Sequence, residues 1–428
     1  MMESWKEVYL RDYYTISSGL SRPAKDFGSG YPFLSFKDIF HNFFVPKELN
    51  ELVESNSEDQ TKYSIKKGDV FLTRTSEKVE ELGLSSVALK DYPNATFNGF
   101  TKRLRPNDKN NIDPVFIGFY LRSPQFRAEI TAYSSLTTRA SLNNGIINRL
   151  KIKLPSLKTQ RKIATILSGY DDLIENNLKR IKLLEEKARL TYEEWFVRMK
   201  FPGHESVAIN KETSLPEGWK KIKLKDSCNL TMGQSPKSKY YNEEEEGLPF
   251  HQGVRDYGFR FPENSIWSTE GNRIAEANDI LFSVRAPVGR LNVAYEKMIL
   301  GRGLAGINHK SGLTSFVFYQ LQNLFYEDNL MGGGAIFNSI TKKDLEGVKL
   351  LFATDELNQK FNVFANNIDK LIKNLTRQNQ LLKEARDILL PRLMTGMIEV
   401  EKLDLEELKE QPLDMVAEEK SEYQTNQS

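Results

Sequence analysis

Residues 154–177 read LPSLKTQRKIATILSGYDDLIENN, and residues 361–375 return to the helical part of that stretch as FNVFANNIDKLIKNL. At an offset of 198 the pairs Ile163/Phe361, Ile166/Phe364, Asp171/Asp369, Leu173/Leu371, Ile174/Ile372, Leu183/Leu381, Leu184/Leu382 and Glu186/Glu384 fall in register. In the first copy Ile163, Ile166, Leu167, Tyr170, Leu173, Ile174, Ile181, Leu184 and Ala188 recur every three or four residues, the spacing of one helix face. Lys and Glu fill the opposite face. The stretch from Asp171 to Met199 has neither Gly nor Pro, and about 30 helical residues rise roughly 45 Å. The second stripe is Phe361, Phe364, Ile368, Leu371, Leu375, Leu382, Ala385 and Leu389, in a helix expected from about Asp355 to Leu390 and stopped by Pro391. Neither stripe can be buried by its own helix in water. Two of them in one chain predict that the helices pack on each other as an antiparallel intramolecular coiled coil.

The duplication extends outward from the helices. WKEVYLRDYYTISSG from Trp5 matches WKKIKLKDSCNLTMG from Trp219 at an offset of 214, pairing Trp5/Trp219, Asp12/Asp226 and Gly19/Gly233. GDVFLTR (Gly68 to Arg74) matches NDILFSVR (Asn278 to Arg285) at an offset of 210 from Asp69 to Asp279. The expected fold class is therefore α+β: two similar modules of short strands and helices, joined by two long helices and related by pseudo-two-fold symmetry. Duplex DNA has two-fold symmetry of its own, and paired modules often read paired half-sites.

Prolines and composition set the expected boundaries: a first module over 1–155, a long helix over 156–200, a linker over 201–215, a second module over 216–352, a distal long helix over 353–398, and a tail over 399–428. In the first module Val8–Leu10, Val70–Thr73, Val87–Leu89 and Ile152–Leu154 read as strands. A turn at Lys66–Asp69 is supported by Gly68, which tolerates positive φ. Asp113-Pro114 reads as a helix cap followed by proline in the first turn, opening VFIGFYLRS. Pro124 starts a second short helix.

The 428 residues are 39% hydrophobic and 28% charged, enough for two or three domains with their own cores. The single cysteine, Cys228, excludes an internal disulfide and favours a reducing compartment. The sequence has no apolar run of membrane-spanning length and no secretory signal at its N-terminus. Net charge is +2, but residues 399–428 hold ten acidic and three basic residues, a balance of −7, which leaves +9 on residues 1–398. A basic body suits a nucleic-acid partner; charge decoration for solubility is the alternative. The tail is acidic and poor in aromatics, the composition of a disordered segment.

Residues for covalent chemistry are not evident. The sequence shows no phosphate-binding Gly-x-x-x-x-Gly-Lys-Ser/Thr loop, no Gly-x-Gly loop for an adenosyl cofactor, and no tetrapeptide for amino methylation. His41, His204, His251 and His309 are isolated, and the acidic run Glu243–Glu246 lacks partners at ligand spacing. What remains is a set of basic and polar loops with interleaved aromatics. The DNA-facing candidates in the first module are Lys37, Thr73, Arg74, Thr75, Lys102, Arg103, Thr138 and Arg139. In the second they are Gln252, Arg255, Arg285, Arg290, Arg302, Asn338 and Lys342. Arg can donate twice to guanine, Gln and Asn can pair with adenine, and Ser, Thr and Lys suit phosphates. Arg74 and Arg285 fall at nearly equivalent repeat positions at a strand end. Ordinary solvated loops are the competing reading for any one of these residues.

The chain resembles the specificity subunit of type I restriction–modification systems over almost its whole length to about Val400. The resemblance is carried by the module openings (Trp5-Lys6 and Pro216-Glu-Gly-Trp-Lys220), the junction Leu154 to Asn177, and the ending ARDILLPRLMTGMIEV from Ala385. The second junction departs from the pattern: Leu351-Phe-Ala-Thr354 replaces Pro155-Ser-Leu-Lys158, and Asn358 stands where Gln160 stands. The resemblance implies that each module is a target-recognition domain reading one half of a bipartite, asymmetric sequence in double-stranded DNA. It implies no catalytic site and no metal on this chain. Two methyltransferase subunits would supply S-adenosylmethionine and adenine methylation, and motor-nuclease subunits using ATP and Mg2+ would carry out restriction. The setting implied is the cytoplasm of a bacterium or archaeon. A stand-alone bipartite DNA-binding regulator, an unrecognised nuclease and a coiled-coil scaffold are the rivals. Affinity of the chain alone, metal-dependent cleavage, or loss of the basic loops' role would distinguish them.

Overall fold

The computed structural model describes residues 5–75, 81–107, 111–134, 141–325 and 339–403. By its internal contacts the chain divides into two compact units, Met1–Glu175 with Gln380–Ser428, and Asn176–Asn379. Each unit therefore holds one sequence module together with part of each long helix.

In the first unit, strand Lys6–Tyr9 lies antiparallel to Lys151–Leu154, which closes the two ends of the module on each other. A four-stranded antiparallel sheet follows the order Tyr14–Ser18, Thr101–Pro106, Val70–Thr73, Ser85–Val87. A smaller sheet places Phe27–Leu34 between Glu51–Val53 and the parallel strand Thr96–Phe97. Successive side chains of a strand point to opposite faces. Val70 and Leu72 accordingly enter a core with Phe116, Ile117, Ile163, Leu167, Leu390 and Leu393, while Phe71 enters a second one with Phe97. Burial on both faces explains why this strand reads as a continuous apolar run. The helix Pro114–Arg122 begins as expected, with the Asp113 carboxylate accepting from the Val115 and Phe116 amides.

The second unit repeats this frame. Lys220–Lys223 pairs with Lys349–Phe352, and the four-stranded sheet runs Cys228–Met232, Leu304–His309, Ile280–Ser283, Leu291–Val293. Ile280 and Phe282 join a core with Phe316, Phe361 and Ala188, and Leu281 joins the opposite one. The local hydrogen bonds coincide as well. Asp69 accepts from the Lys66 amide at 2.7 Å and Asp279 from the Glu276 amide at 2.9 Å. The preceding residue has positive φ in both turns, Gly68 at 89° and Asn278 at 74°; Asn is the non-glycine residue most at ease there.

The long helices are Leu157–Tyr192, 36 residues, and Asp355–Met394, 40 residues. Within the first unit Asp171 accepts from Arg386 at 2.5 Å. Within the second, Asn177 donates to Asn379 at 3.0 Å and Tyr192 packs on Phe361, so those helix segments run in opposite directions. Four expectations need correcting. Leu173 and Leu371 are exposed, and Ile174 and Ile372 are the buried members of those turns. Pro391 lies inside the distal helix, which continues to Met394 because Leu393 and Met394 are buried and hold the last turn by packing. The tail does not begin at 399: Val400 is buried, and Lys162 donates to the carbonyls of Val400, Glu401 and Leu403. The second junction keeps the 198 offset, so Ala353, not Leu351, is the counterpart of Pro155. Gln160 donates to the Pro155 carbonyl at 3.0 Å and Asn358 to that of Ala353 at 3.1 Å. Ala353 has an amide N–H that proline lacks, and the Asn358 oxygen accepts it at 3.0 Å. The substitutions at 353 and 358 thus form a matched pair.

Candidate nucleic-acid interface

In both units the central strand of the four-stranded sheet ends in a hydroxyl residue that closes the following loop. Thr73 donates to the Glu81 carbonyl at 2.8 Å and accepts from the Leu84 amide at 2.9 Å. Ser283 donates to the Pro287 carbonyl at 2.6 Å and accepts from the Arg290 amide at 2.8 Å. Thr73 is fully buried by this work, and a hydroxyl so engaged cannot also bind a phosphate. The next residue is Arg74 in one unit and buried Val284 in the other, whose amides donate to the Phe100 and Gly303 carbonyls. Thr75 then bridges to Ser141 and Arg285 to Ser339. The counterpart of Arg285 is therefore Thr75, and Arg74 has an apolar counterpart. The sequence offset of 210 from Asp69/Asp279 already gives this pairing.

Of the first-module candidates, Lys37, Arg74 and Thr75 are exposed. Lys37 sits in the first turn of the helix Phe36–His41, opened by a Ser35–Asp38 capping box. Lys102 is largely buried, with Nζ donating to Ser18 Oγ at 2.9 Å; burial and the nearby Arg74 lower its pKa. Arg103 is turned inward: it donates to the Ser64 carbonyl at 2.6 Å and lies over the Phe97 ring. Thr73 and Arg103 are thus frame residues rather than readers. Thr138 and Arg139 lie outside the described residues.

In the second module Gln252, Arg255, Arg285, Arg290, Arg302 and Lys342 are all exposed. Arg255 is held by Asp256 at 2.9 Å and by Ser265 at 3.2 Å. Lys342 pairs with Glu346 at 3.5 Å in a helix capped by Thr341. Asn338 lies outside the described residues. Gln252 and Arg302 share a residue that the sequence did not single out, Ser235. Its hydroxyl donates to Gln252 Oε1 at 2.6 Å and accepts from the Arg302 amide at 3.2 Å. Three glycines let these segments meet: a Cβ on Gly233, Gly301 or Gly303 would stand 2.1, 2.6 or 2.6 Å from backbone atoms. The signal was available in sequence, since Ser235 follows the repeat-matched Gly233 by two residues.

Arg260 was also missed, because nothing in its local pattern marks it. It is buried, paired with Asp369 and with Glu185 at 3.5 Å, and stacked on Phe318 with its guanidinium carbon 3.6 Å from the ring centre. Burial raises the Glu185 pKa against the opposing pull of Arg260. The loop that carries Arg255 is thereby fastened to both long helices within this unit. Among the described residues, no three His, Cys, Asp or Glu side chains gather as a metal site, and no helix is long and apolar enough to cross a membrane.

The two units thus define a duplicated mixed α/β frame, with exposed polar and basic side chains just past its strand ends. The family model for the type I restriction modification DNA specificity domain matches residues 2–186 and 216–385, and the chain belongs to that family. Its role is to supply DNA sequence specificity. It is 31% identical over 93% of its length, and 94% of the relative's, to the protein named the MjaX type I restriction enzyme specificity subunit of Methanocaldococcus jannaschii. Identity to the MjaIX specificity subunit of the same organism is 23%, over 94% of this chain and 95% of that one. Among solved structures, the type I restriction-modification S subunit from M. genitalium shares the fold with a TM-score of 0.54 at 15% identity, covering 91% of this chain and 96% of that chain.

Proposed function

We propose that the chain reads a bipartite, asymmetric sequence in double-stranded DNA, one half-site per module, and directs adenine methylation or restriction by partner subunits. The modules span about 1–155 and 216–352. The long helices form an antiparallel coiled-coil spacer that relates them by a pseudo-two-fold axis. At 36 residues the first helix is about 54 Å long, against about 34 Å for one turn of DNA. Two methyltransferase subunits supply S-adenosylmethionine, and motor-nuclease subunits supply ATP- and Mg2+-dependent restriction. The chain itself makes no covalent step and works in the cytoplasm on nucleoid DNA. Arg74, Thr75 and Lys37 serve the first half-site; Gln252, Arg255, Arg285, Arg290, Arg302 and Lys342 serve the second. Joining two moderate half-site affinities by a stiff strut makes the second binding event effectively intramolecular.

The observation that supports this most is the pair of matched strand-end frames presenting different side chains: Arg74 and Thr75 in one, Val284 and Arg285 in the other. The test is to insert four residues, about one helical turn, into the first long helix, Leu157–Tyr192, and sequence the methylome of a host expressing the chain with its partners. The spacer between half-sites should change while both half-sites stay the same. An unchanged spacer would overturn the idea that helix length sets the separation of the half-sites.

A further inference from the structure

Phe100 is the most exposed aromatic ring in the described part of the first unit, at 65%. Its backbone is nevertheless held on every side. The Phe100 amide donates to Asn98 Oδ1 at 2.7 Å, and its carbonyl accepts from the Arg74 amide at 2.9 Å. Thr101 closes the turn by donating its hydroxyl to the Asn98 carbonyl at 2.6 Å. Behind the turn, a Cβ on Gly99 would stand 2.2 Å from Ser21 Oγ, and one on Gly19 2.2 Å from the Asn98 oxygen. A rigid turn thus projects an apolar ring into solvent, where its burial would be favourable.

The surroundings identify what would bury it. Arg74 is exposed and has no side-chain partner among the described residues, whereas Lys102 is turned inward to Ser18. Burial, and then the nearby Arg74, lower the Lys102 pKa. An exposed cation next to one apolar plate matches a phosphodiester next to a base step, and an apolar protein surface would leave that charge unpaired.

The second module is built otherwise at the same place. The counterpart of Phe100 is Gly303, where a Cβ would stand 2.6 Å from the Gln252 carbonyl oxygen. Lys102 corresponds to Ala305 and Arg74 to Val284, both buried. That module instead displays hydrogen-bonding heads, with Gln252 oriented by Ser235 and Arg302 beside it.

We propose that Phe100 enters the duplex as a wedge, opening one base step of the first half-site while exposed Arg74 holds the adjoining phosphate. The inference rests on the DNA-reading function above and adds that the half-sites are read by different physics. The first is selected in part by how easily a step unstacks, which favours pyrimidine–purine steps. The second is selected by direct hydrogen bonding to base edges.

The test uses the chain assembled with its methyltransferase partners and duplexes carrying the target, with 2-aminopurine placed in turn at each step of the first half-site. The unaltered chain should raise fluorescence at one step, and Phe100→Ala should abolish the rise. Phe100→Ala should weaken binding roughly 5- to 100-fold, the range of one aromatic–base stack, and Phe100→Trp should retain it. A mismatch built into that step should bring Phe100→Ala back to within about twofold of the unaltered chain, because the unstacking cost is then already met. The slope of log affinity against log salt should not change, since no phosphate contact is removed. Arg285→Ala, in the other module, is the control. If it weakens binding and Phe100→Ala does not, the wedge is wrong and the DNA reading stands. If neither variant affects binding and the unaltered complex does not select sequence, the DNA reading itself fails. If Phe100→Ala instead dissociates the partner subunits in sedimentation, the ring faces protein and the wedge is overturned.

Discussion

At the residue scale, a polar side chain in this protein either closes the frame or faces outward, and its neighbours in sequence do not say which. Lys102 and Arg103 sit in TKRLRP, which reads as a basic loop, yet both are strand residues with carbonyl or hydroxyl partners. Burial by a second layer of structure carries no periodic mark, so a sequence reading assigns them to the interface. Arg74, Arg285 and Gln252 lie just past strand ends, where exposure is legible, although the repeat pairs Arg285 with Thr75 and Arg74 with buried Val284. His251 illustrates a titratable group hidden in the same way. It is fully buried, with Nε2 bonded to Asn264 at 3.0 Å, and burial depresses its pKa below 6.5. A depressed folded-state pKa means the unfolded chain binds the proton more readily. The stability it contributes is complete above pH 6.5 and is lost as pH falls toward the folded-state value. Thermal melts between pH 7.5 and 5, a range of about 2.5 units across the imidazole transition, should therefore show a falling midpoint. The slope should be shallower for His251→Gln; equal slopes would mean the imidazole stays accessible to protons in the fold.

At the scale of elements, the paired helices were the most legible part, because a three-four repeat sustained over many turns has few other solutions. Their polar interruption was not. Asn177 and Asn379 occupy positions in the apolar stripe, are 7% and 6% exposed, and satisfy each other at 3.0 Å. Read from one helix at a time, each is merely a polar residue; only the pairing shows that it faces inward. Asn177→Leu leaves the Asn379 amide buried without this partner and should lower stability by about 1–3 kcal/mol. The double Leu variant should recover that loss, because two apolar groups replace two amides. Urea titrations would measure both. Asn379→Leu as stable as the double would show that Gln378, which accepts from Asn177 at 3.4 Å, suffices as its partner.

At the scale of the whole molecule, the repeat gave the number of modules but not the way the chain divides. Sequence boundaries follow prolines, whereas the compact units cut both long helices, at Glu175 and at Gln380. A helix belongs to whatever buries its stripe, and each unit claims the nearest turns of both. Because the two frames carry different heads, the target should consist of two unlike half-sites. Methylome sequencing should return an asymmetric bipartite motif, and a palindrome would contradict the assignment of distinct readers to each module.

The hydroxyls of Thr73 and Ser283 close loops of different length: the acceptor Glu81 stands 8 positions after Thr73, and Pro287 stands 4 after Ser283. In both units the sheet holds its loop by the same anchors, the pinned hydroxyl and the amide of the residue after it. Mutation can rewrite the intervening segment, longer or shorter, without asking the rest of the protein to refold. If each module reads its own half-site as proposed, a lineage carrying this architecture would be free to drift to new target words one half at a time.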